Sequence, residues 1–231
     1  MSLKTFFISG IDTDAGKTFA TGIFARFLIQ KGYSAITQKT AQTGCTDISI
    51  DIMRHRELMG IDLLPDDIER ITCPYCFELA ASPHLSSALE GKVIDTAVIN
   101  RNTAILESKY DYVLIEGAGG LLAPLNDRIY TIDYIKERNL PLILVSSAKI
   151  GSINHTLLSI EACKARNIEI SAIIYNSFPE VDPIIYNDSL SVIEKEFAKS
   201  YAGGKIIKLP VVPDLIYQKQ IDLTCFDNIL S

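Results

Sequence analysis

Ser9-Gly10-Ile11-Asp12-Thr13-Asp14-Ala15-Gly16-Lys17-Thr18 stands between an apolar run, Lys4–Ser9, and a segment with helical spacing, Lys17–Lys31. A strand, a glycine-containing turn and an amphipathic helix form the context of a phosphate-binding loop. The usual spacing is G-x-x-x-x-G-K-[ST]. Counted back from Gly16, the first glycine belongs at position 11, which is Ile11; Gly10 is one residue early. The chemistry survives the extra residue. A helix start offers unpaired N–H groups and the positive end of its dipole. Gly16 lets the backbone approach a phosphate, Lys17 reaches the terminal phosphates, and the Thr18 hydroxyl suits a Mg2+ position. Asp12 and Asp14 are the anomaly, because carboxylates repel phosphate. Two readings stand: they face a cationic or amine-bearing second substrate, or they brace the loop through backbone N–H groups.

Working outward, apolar runs alternate with helical patterns. Strands are expected at Tyr33–Lys39, Asp111–Glu116, Pro141–Ser147, Glu169–Asn176 and Lys205–Leu209, and helices at Asn154–Arg166 and Asn187–Lys199. Gly60–Ser82 resists assignment. Near-continuous apolar strands joined by helices predict an α/β protein: a three-layer, P-loop NTPase-like fold with a mainly parallel central sheet flanked by helices, residues 1–231 forming one domain. Ligands of such folds collect beyond the carboxyl ends of the strands. The loop after Ser9, Lys39, Glu116, Lys149 and Asn176 all fall there. Glu116 ends a hydrophobic strand and opens Glu116-Gly117-Ala118-Gly119-Gly120, as a second Mg2+ ligand beside a phosphate site requires. The bland alternative is a solvated strand-end acid before a flexible glycine turn. Asp47 or Asp51 could add a third acid.

The 231 residues are 48% hydrophobic with a net charge of −6. An acidic chain without a Lys/Arg cluster argues against nucleic acid or an anionic membrane as partner. The start, MSLKTFFISG, lacks a signal-peptide pattern, and no run approaches the ~20 apolar residues of a membrane span. Five scattered cysteines fit a reducing compartment. A cytoplasmic protein is expected.

Several segments together resemble one family, the dethiobiotin synthetases, ATP-dependent cyclising enzymes of biotin synthesis. The family loop reads G-T-D-T-x-V-G-K-T, and Gly10–Thr18 shares its extra residue and first aspartate. Its K-P-x-x-[ST]-G is matched by Lys39-Thr40-Ala41-Gln42-Thr43-Gly44, with Thr40 in place of proline. Ser82-Pro83-His84, Val113–Gly120 and Lys149-Ile150-Gly151-Ser152-Ile153-Asn154-His155 match further family motifs.

The resemblance implies that ATP, CO2 and 7,8-diaminononanoate give dethiobiotin, ADP and phosphate. One amine takes up CO2 as a carbamate, the carbamate attacks the γ-phosphate, and the second amine closes the cyclic urea. It implies catalytic roles for Lys17, Lys39 and Thr13. ATP would lie on Asp14, Ala15, Gly16, Lys17, Thr18, Phe19, Glu116, Gly117, Ala118 and Gly119. Asn176 and Ser177 would meet the base, with Pro210-Val211-Val212 lining its pocket. Mg2+ would be held by Thr18, Asp51 (or Asp47) and Glu116. Thr43, Gly151, Ser152 and Asn154 would bind the diamine, the last three at a helix start offering an anion site to its carboxylate. The family's homodimer, with shared active sites, is expected too.

Three other signals carry less. Cys73-Pro74-Tyr75-Cys76 has redox spacing, but it lacks the helix start and small βαβ unit of a redox motif and the further ligands of a zinc site. His55, His84 and His155 lack metal spacing; His84 and His155 lie within matching motifs. A partitioning or septum-placing nucleotide-switch ATPase would carry an early lysine in the loop, where this chain has Ile11, Asp12 and Asp14. A related amide-forming ATP ligase would share the loop and the acids, but Lys39 with Thr43 and the Gly151–Asn154 segment favour a diamine.

Overall fold

In the first strand, β1 (Lys4–Gly10), side chains alternate between two cores: Phe7 joins one, Phe6 and Ile8 the other. The same alternation recurs wherever the sheet is central, so both faces must be covered. The computed structural model describes residues 4–178, 181–209 and 222–230. Helix α1 (Lys17–Gln30) follows the loop, then β2 (Ala35–Lys39), the short β3 (Gln42–Thr43) and α2 (Ile50–Met59). Next come α3 (Pro65–Ile68), β4 (Cys76–Phe77), α4 (Pro83–Leu89) and α5 (Thr96–Glu107). The second half contains β5 (Tyr112–Gly120), α6 (Thr131–Glu137), β6 (Leu142–Ser147), α7 (Ser152–Lys164), β7 (Ile170–Asn176), α8 (Pro183–Ser200), β8 (Lys205–Leu209) and α9 (Asp227–Leu230).

Six strands pair in parallel in the order β2-β5-β1-β6-β7-β8. β1 therefore lies between β5 and β6, and the chain leaves to both sides of it. That is the switch point at which parallel sheets open a crevice. One face is covered by α1, α2 and the C-terminal segment, with Phe24, Phe27, Leu58 and Phe226 packed on Phe6 and Ile8. Ile99, Ile132, Ile135, Ile160, Ile193 and Phe197 cover the other. No helix among the described residues is long and apolar enough to cross a membrane.

Expected boundaries hold to within a few residues, with one correction of kind. β5 does not stop at Glu116; it runs through Gly117, Ala118 and Gly119 to Gly120, which pairs with Gly10. The glycines lie in a bulge of the strand, where the register with β1 jumps from Ile8–Glu116 to Gly10–Gly120, rather than in a separate turn, and Phe7 side-chain atoms would lie only 3.0 Å from a Cβ on Gly117.

The hard-to-assign stretch around 60–82 is organised by buried carboxylates. Asp67 accepts from Arg56 Nε at 2.9 Å and Nη2 at 2.8 Å, from Thr72 Oγ1 at 2.7 Å and from the Leu64 N–H at 2.8 Å. Asp66 accepts from Lys109 and from the Tyr110 hydroxyl. Burial pushes the Asp67 carboxyl up, but the Arg56 guanidinium outweighs it and holds the group below the usual carboxylate range. Removing one partner of such a buried pair leaves the other unpaired, so Asp67→Ala should cost about 3–5 kcal/mol in chemical unfolding. Because its folded value is depressed, the Asp67 contribution is present above the unfolded value of about 3.9 and fades as pH falls through the folded one. Asp67→Asn should accordingly flatten the acid limb of the melting-temperature profile relative to wild type.

Candidate active site

The carboxyl ends of β1, β2 and β5 meet at one place because Lys39 and Glu116 are register partners on neighbouring strands, as are Ile8 and Glu116. The loop after β1 closes on its own lysine. Lys17 Nζ donates to the carbonyls of Asp12 at 2.9 Å and Thr13 at 3.0 Å. Burial, then the charge of Lys39, bring the Lys17 amine down to about 8, with Glu116 and Asp51 opposing. Asp12 Oδ1 accepts from the Thr13 N–H at 2.7 Å, so this aspartate braces the loop. Asp14 is exposed. Gly16 caps α1 in the left-handed region, φ 95°, and a Cβ there would lie 2.2 Å from Asn176 Nδ2. That amide donates to the Ala15 carbonyl at 3.1 Å, so the end of β7 is tied directly to the loop.

Beside the loop stands a compact ionic cluster. Lys39 Nζ lies 2.7 Å from Glu116 Oε1, 2.5 Å from Asp51 Oδ2 and 3.2 Å from the Gly117 carbonyl. Thr18 Oγ1 is 3.1 Å from Asp51 Oδ1 and 3.2 Å from Glu116 Oε1. Glu116 is fully buried; burial alone would raise its carboxyl, but Lys39 and then His55 hold it well below the ordinary range. The two carboxylates outweigh burial at Lys39 and hold its ammonium above the usual lysine value. Asp47 takes no part: it is exposed and pairs with Arg70 at 3.5 Å. Among the described residues no three His, Cys, Asp or Glu side chains are placed to hold a metal by themselves. Thr18, Asp51 and Glu116 instead offer a hydroxyl and two carboxylates, the hard-oxygen set that Mg2+ completes with phosphate oxygens and water.

Two contributors escape sequence reasoning. His55, one turn after Asp51 on α2 and fully buried, puts Nε2 2.8 Å from Glu116 Oε2 and Nδ1 3.0 Å from Thr37 Oγ1. Arg56 Nη1 donates to the same Thr37 oxygen at 2.8 Å. One arrangement satisfies every group: Thr37 accepts from Arg56 and donates to Nδ1, and the Nε2–H donates to Glu116. Gln42 is the second. Its Oε1 accepts from Ser49 Oγ at 2.7 Å and the Asp51 N–H at 3.2 Å, fixing the start of α2 and with it the Asp51 carboxylate. Only an Asp51-x-x-x-His55 spacing on one helix face hinted at the first; nothing local hinted at the second.

The remaining expected residues are spread around this centre. Thr13 is exposed on the loop, and Phe19, Ala118 and Gly119 are partly buried beside it. Thr43 is partly buried on β3, and Ser177 donates to the Leu209 carbonyl at 2.9 Å. Gly151 (φ 94°) precedes α7, which begins at Ser152, two residues earlier than expected. Ser152 Oγ turns inward to Ser147 Oγ at 2.8 Å, while Asn154 is exposed. Ser152 and Lys149 share a small cleft of about 60 Å3 with Asp12, Asp14 and Ala15. Thr40 keeps an N–H that donates to the Glu116 carbonyl at 3.0 Å, a bond proline could not make. Pro210, Val211 and Val212 lie outside the described residues.

Gly16→Ala should fold, yet weaken nucleotide binding at least tenfold in calorimetry by displacing the Asn176 amide. His55→Leu should cost about 1–3 kcal/mol of stability and loosen Mn2+ binding in the presence of nucleotide by about 10- to 100-fold, with His55→Gln intermediate.

A family model described as an AAA domain matches residues 4–217. A protein from Haemophilus ducreyi named ATP-dependent dethiobiotin synthetase BioD 2 is 55% identical over 204 residues, 88% of this chain and 97% of its own. Its namesake from Haemophilus influenzae is 53% identical over 79% of this chain and 95% of its own. That from Pasteurella multocida is 48% identical over 92% and 98%. A crystal structure of a ParA family ATPase from Chlorobium tepidum superposes with a TM-score of 0.51 at 16% identity, over 90% of this chain and 85% of that one, a likeness of fold alone. The phosphate loop, the strand-end lysine and carboxylate, and relatives that match along most of their own length place the chain in the dethiobiotin synthetase family.

Proposed function

We propose that the protein, as a single ligase domain over residues 1–231, carboxylates 7,8-diaminononanoate with CO2 and closes it to dethiobiotin, an ATP- and Mg2+-dependent step of biotin synthesis. The observation that carries this reading is the pairing of Lys39 with two carboxylates beside a lysine-closed phosphate loop. The reaction must bring two anions together, a carbamate and a triphosphate, and only fixed positive charge makes that approach favourable.

Nucleotide phosphates lie on the N–H groups from Asp14 to Phe19, with Lys17 swung from the loop carbonyls onto the γ-phosphate. Asn176 and Ser177 meet the base, with Pro210, Val211 and Val212 completing its pocket. Glu116, Asp51 and Thr18 would hold Mg2+, which would supply charge neutralisation at the phosphates. The diamine lies between Thr13 and Thr43, its carboxylate toward the Gly151–Asn154 helix start. One amine attacks CO2 and loses a proton, giving the carbamate. Lys39 turns from the carboxylates toward the carbamate oxygen as that oxygen attacks the γ-phosphorus and ADP leaves. The second amine then attacks the carbonyl carbon of the mixed anhydride, and phosphate departs as the urea closes.

A homodimer belongs to this reading. Leu122 and Leu158, both more than half exposed, line a groove of about 330 Å3 with Ile11 and His155, and Ile150 stands exposed at the neighbouring loop–α7 cleft; this is apolar surface for a second copy to cover.

Purified protein with Mg·ATP, bicarbonate and 7,8-diaminononanoate should yield the cyclic urea by mass spectrometry; ATP turnover without that product would overturn the reading. Lys17→Gln and Lys39→Gln should each lower kcat by about 10²–10³-fold. Asn154→Ala should raise KM for the diamine more than KM for ATP, whereas an effect confined to ATP would remove the carboxylate assignment.

A further inference from the structure

Cys73-Pro74-Tyr75-Cys76 lies outside the ligase chemistry, yet the fold gives it a setting its spacing alone did not show. Cys73 is buried, Cys76 is partly exposed, and their sulfurs are 3.9 Å apart. Cys45, the neighbouring thiol, donates to the Ile48 carbonyl at 3.0 Å and also hydrogen-bonds Cys76; it is partly exposed, so Cys73 is the one sheltered thiol of the three. The two partners differ chemically. The hydrogen bond between Cys76 and Cys73, helped by the charge of Arg70 and by a hydrogen bond with Cys45 and against the effect of burial, brings the Cys76 thiol down to about 7. The hydrogen bond to Cys76, together with burial, pushes Cys73 well above the ordinary thiol value. An accessible nucleophile thus sits in contact with a sheltered second thiol, the division of labour that thiol–disulfide exchange needs.

The segment carrying these thiols is laced to the catalytic one. The carbonyl of Thr72 accepts from the Lys39 N–H at 2.7 Å, that of Tyr75 from Gln42 at 2.8 Å and that of Phe77 from Cys45 at 3.0 Å. Cys76 is the register partner of Gln42, and Phe77 of Thr43. Gln42 in turn holds Ser49 and the Asp51 N–H. A disulfide bond is about 2.05 Å long, so closure must draw the sulfurs together by roughly 2 Å. That pull acts on the strand pair bearing Thr43 and, through Gln42, on Asp51.

We infer that Cys73 and Cys76 form a reversible redox site, oxidised by small disulfides of the glutathione class to an intrachain disulfide that slows the ligase. The Cys76 thiolate attacks one sulfur of the small disulfide, whose S–S bond breaks and whose other half leaves as a thiol. Cys73 Sγ gives up its proton and attacks Cys76 Sγ, releasing the second thiol. Two protein thiols lose two electrons and two protons, and one small disulfide becomes two thiols.

The test treats the reduced full chain with glutathione disulfide and follows intact mass, peptide mapping and turnover with Mg·ATP, bicarbonate and 7,8-diaminononanoate. Mass and mapping report the bridge whatever product the enzyme makes. Wild type should become two hydrogens lighter with a Cys73–Cys76 bridge, and should lose about tenfold or more in turnover, since displacing reacting groups by about 1 Å can cost up to about 10²-fold. Dithiothreitol should restore both. Cys73→Ser should stop at a glutathione adduct on Cys76, and Cys76→Ser should form no adduct or bridge at this pair and keep its turnover. A wild type that stops at the adduct, that does not react, or that forms the bridge with turnover unchanged overturns the inference.

Discussion

A fully buried carboxylate is the constraint around which this protein is arranged. Glu116 ends the apolar part of a central strand, where an unpaired charge would be too costly to keep. Its register partner Lys39 compensates one oxygen and His55 the other, and each of these needs support of its own. Lys39 draws in Asp51, which Gln42 positions through the start of α2. His55 is oriented by Thr37, which is bonded to Arg56, which is anchored on Asp67. One charge at the mouth of the sheet thereby organises α2, the edge strand β2 and the irregular segment beyond them.

The same arrangement explains why much of the protein was legible from its letters. Phosphate loops, strand-end acids and apolar strands are local patterns, and Lys17, Thr18, Lys39 and Glu116 could be picked out because each sits at a recognisable junction. The resemblance to relatives added what spacing could not, above all the family and the expectation of a second substrate. His55 stayed hidden because its role depends on three elements meeting in space, and a lone histidine on a helix has many ordinary explanations. The 60–82 stretch stayed hidden because buried ionic pairs hold it, and these leave no periodic trace. β5 was cut short in the reading because glycine usually marks a turn; here it marks a strand passing close under Phe7. The choice between Asp47 and Asp51 needed the direction of α2, which carries one to the cluster and leaves the other on the surface.

The loop acids illustrate how one pattern can serve two ends. Asp12 bonds the backbone of Thr13 and keeps the extra residue in place, whereas Asp14 stands free in a cleft with Ser152. The bracing reading drawn from the sequence finds its residue in Asp12. The longer loop also places Ile11 at the edge of the groove with Leu122 and Leu158, so a single inserted position touches the phosphate site and the neighbouring apolar surface together.

Lys17 resting on the carbonyls of Asp12 and Thr13 has a kinetic meaning. The Lys17 ammonium already holds the loop in a closed shape, the two carbonyls occupying the acceptor positions that phosphate oxygens would take in the proposed reaction. Arrival of nucleotide then requires rotation about a few bonds of one residue, a motion far faster than the ordering of a backbone segment.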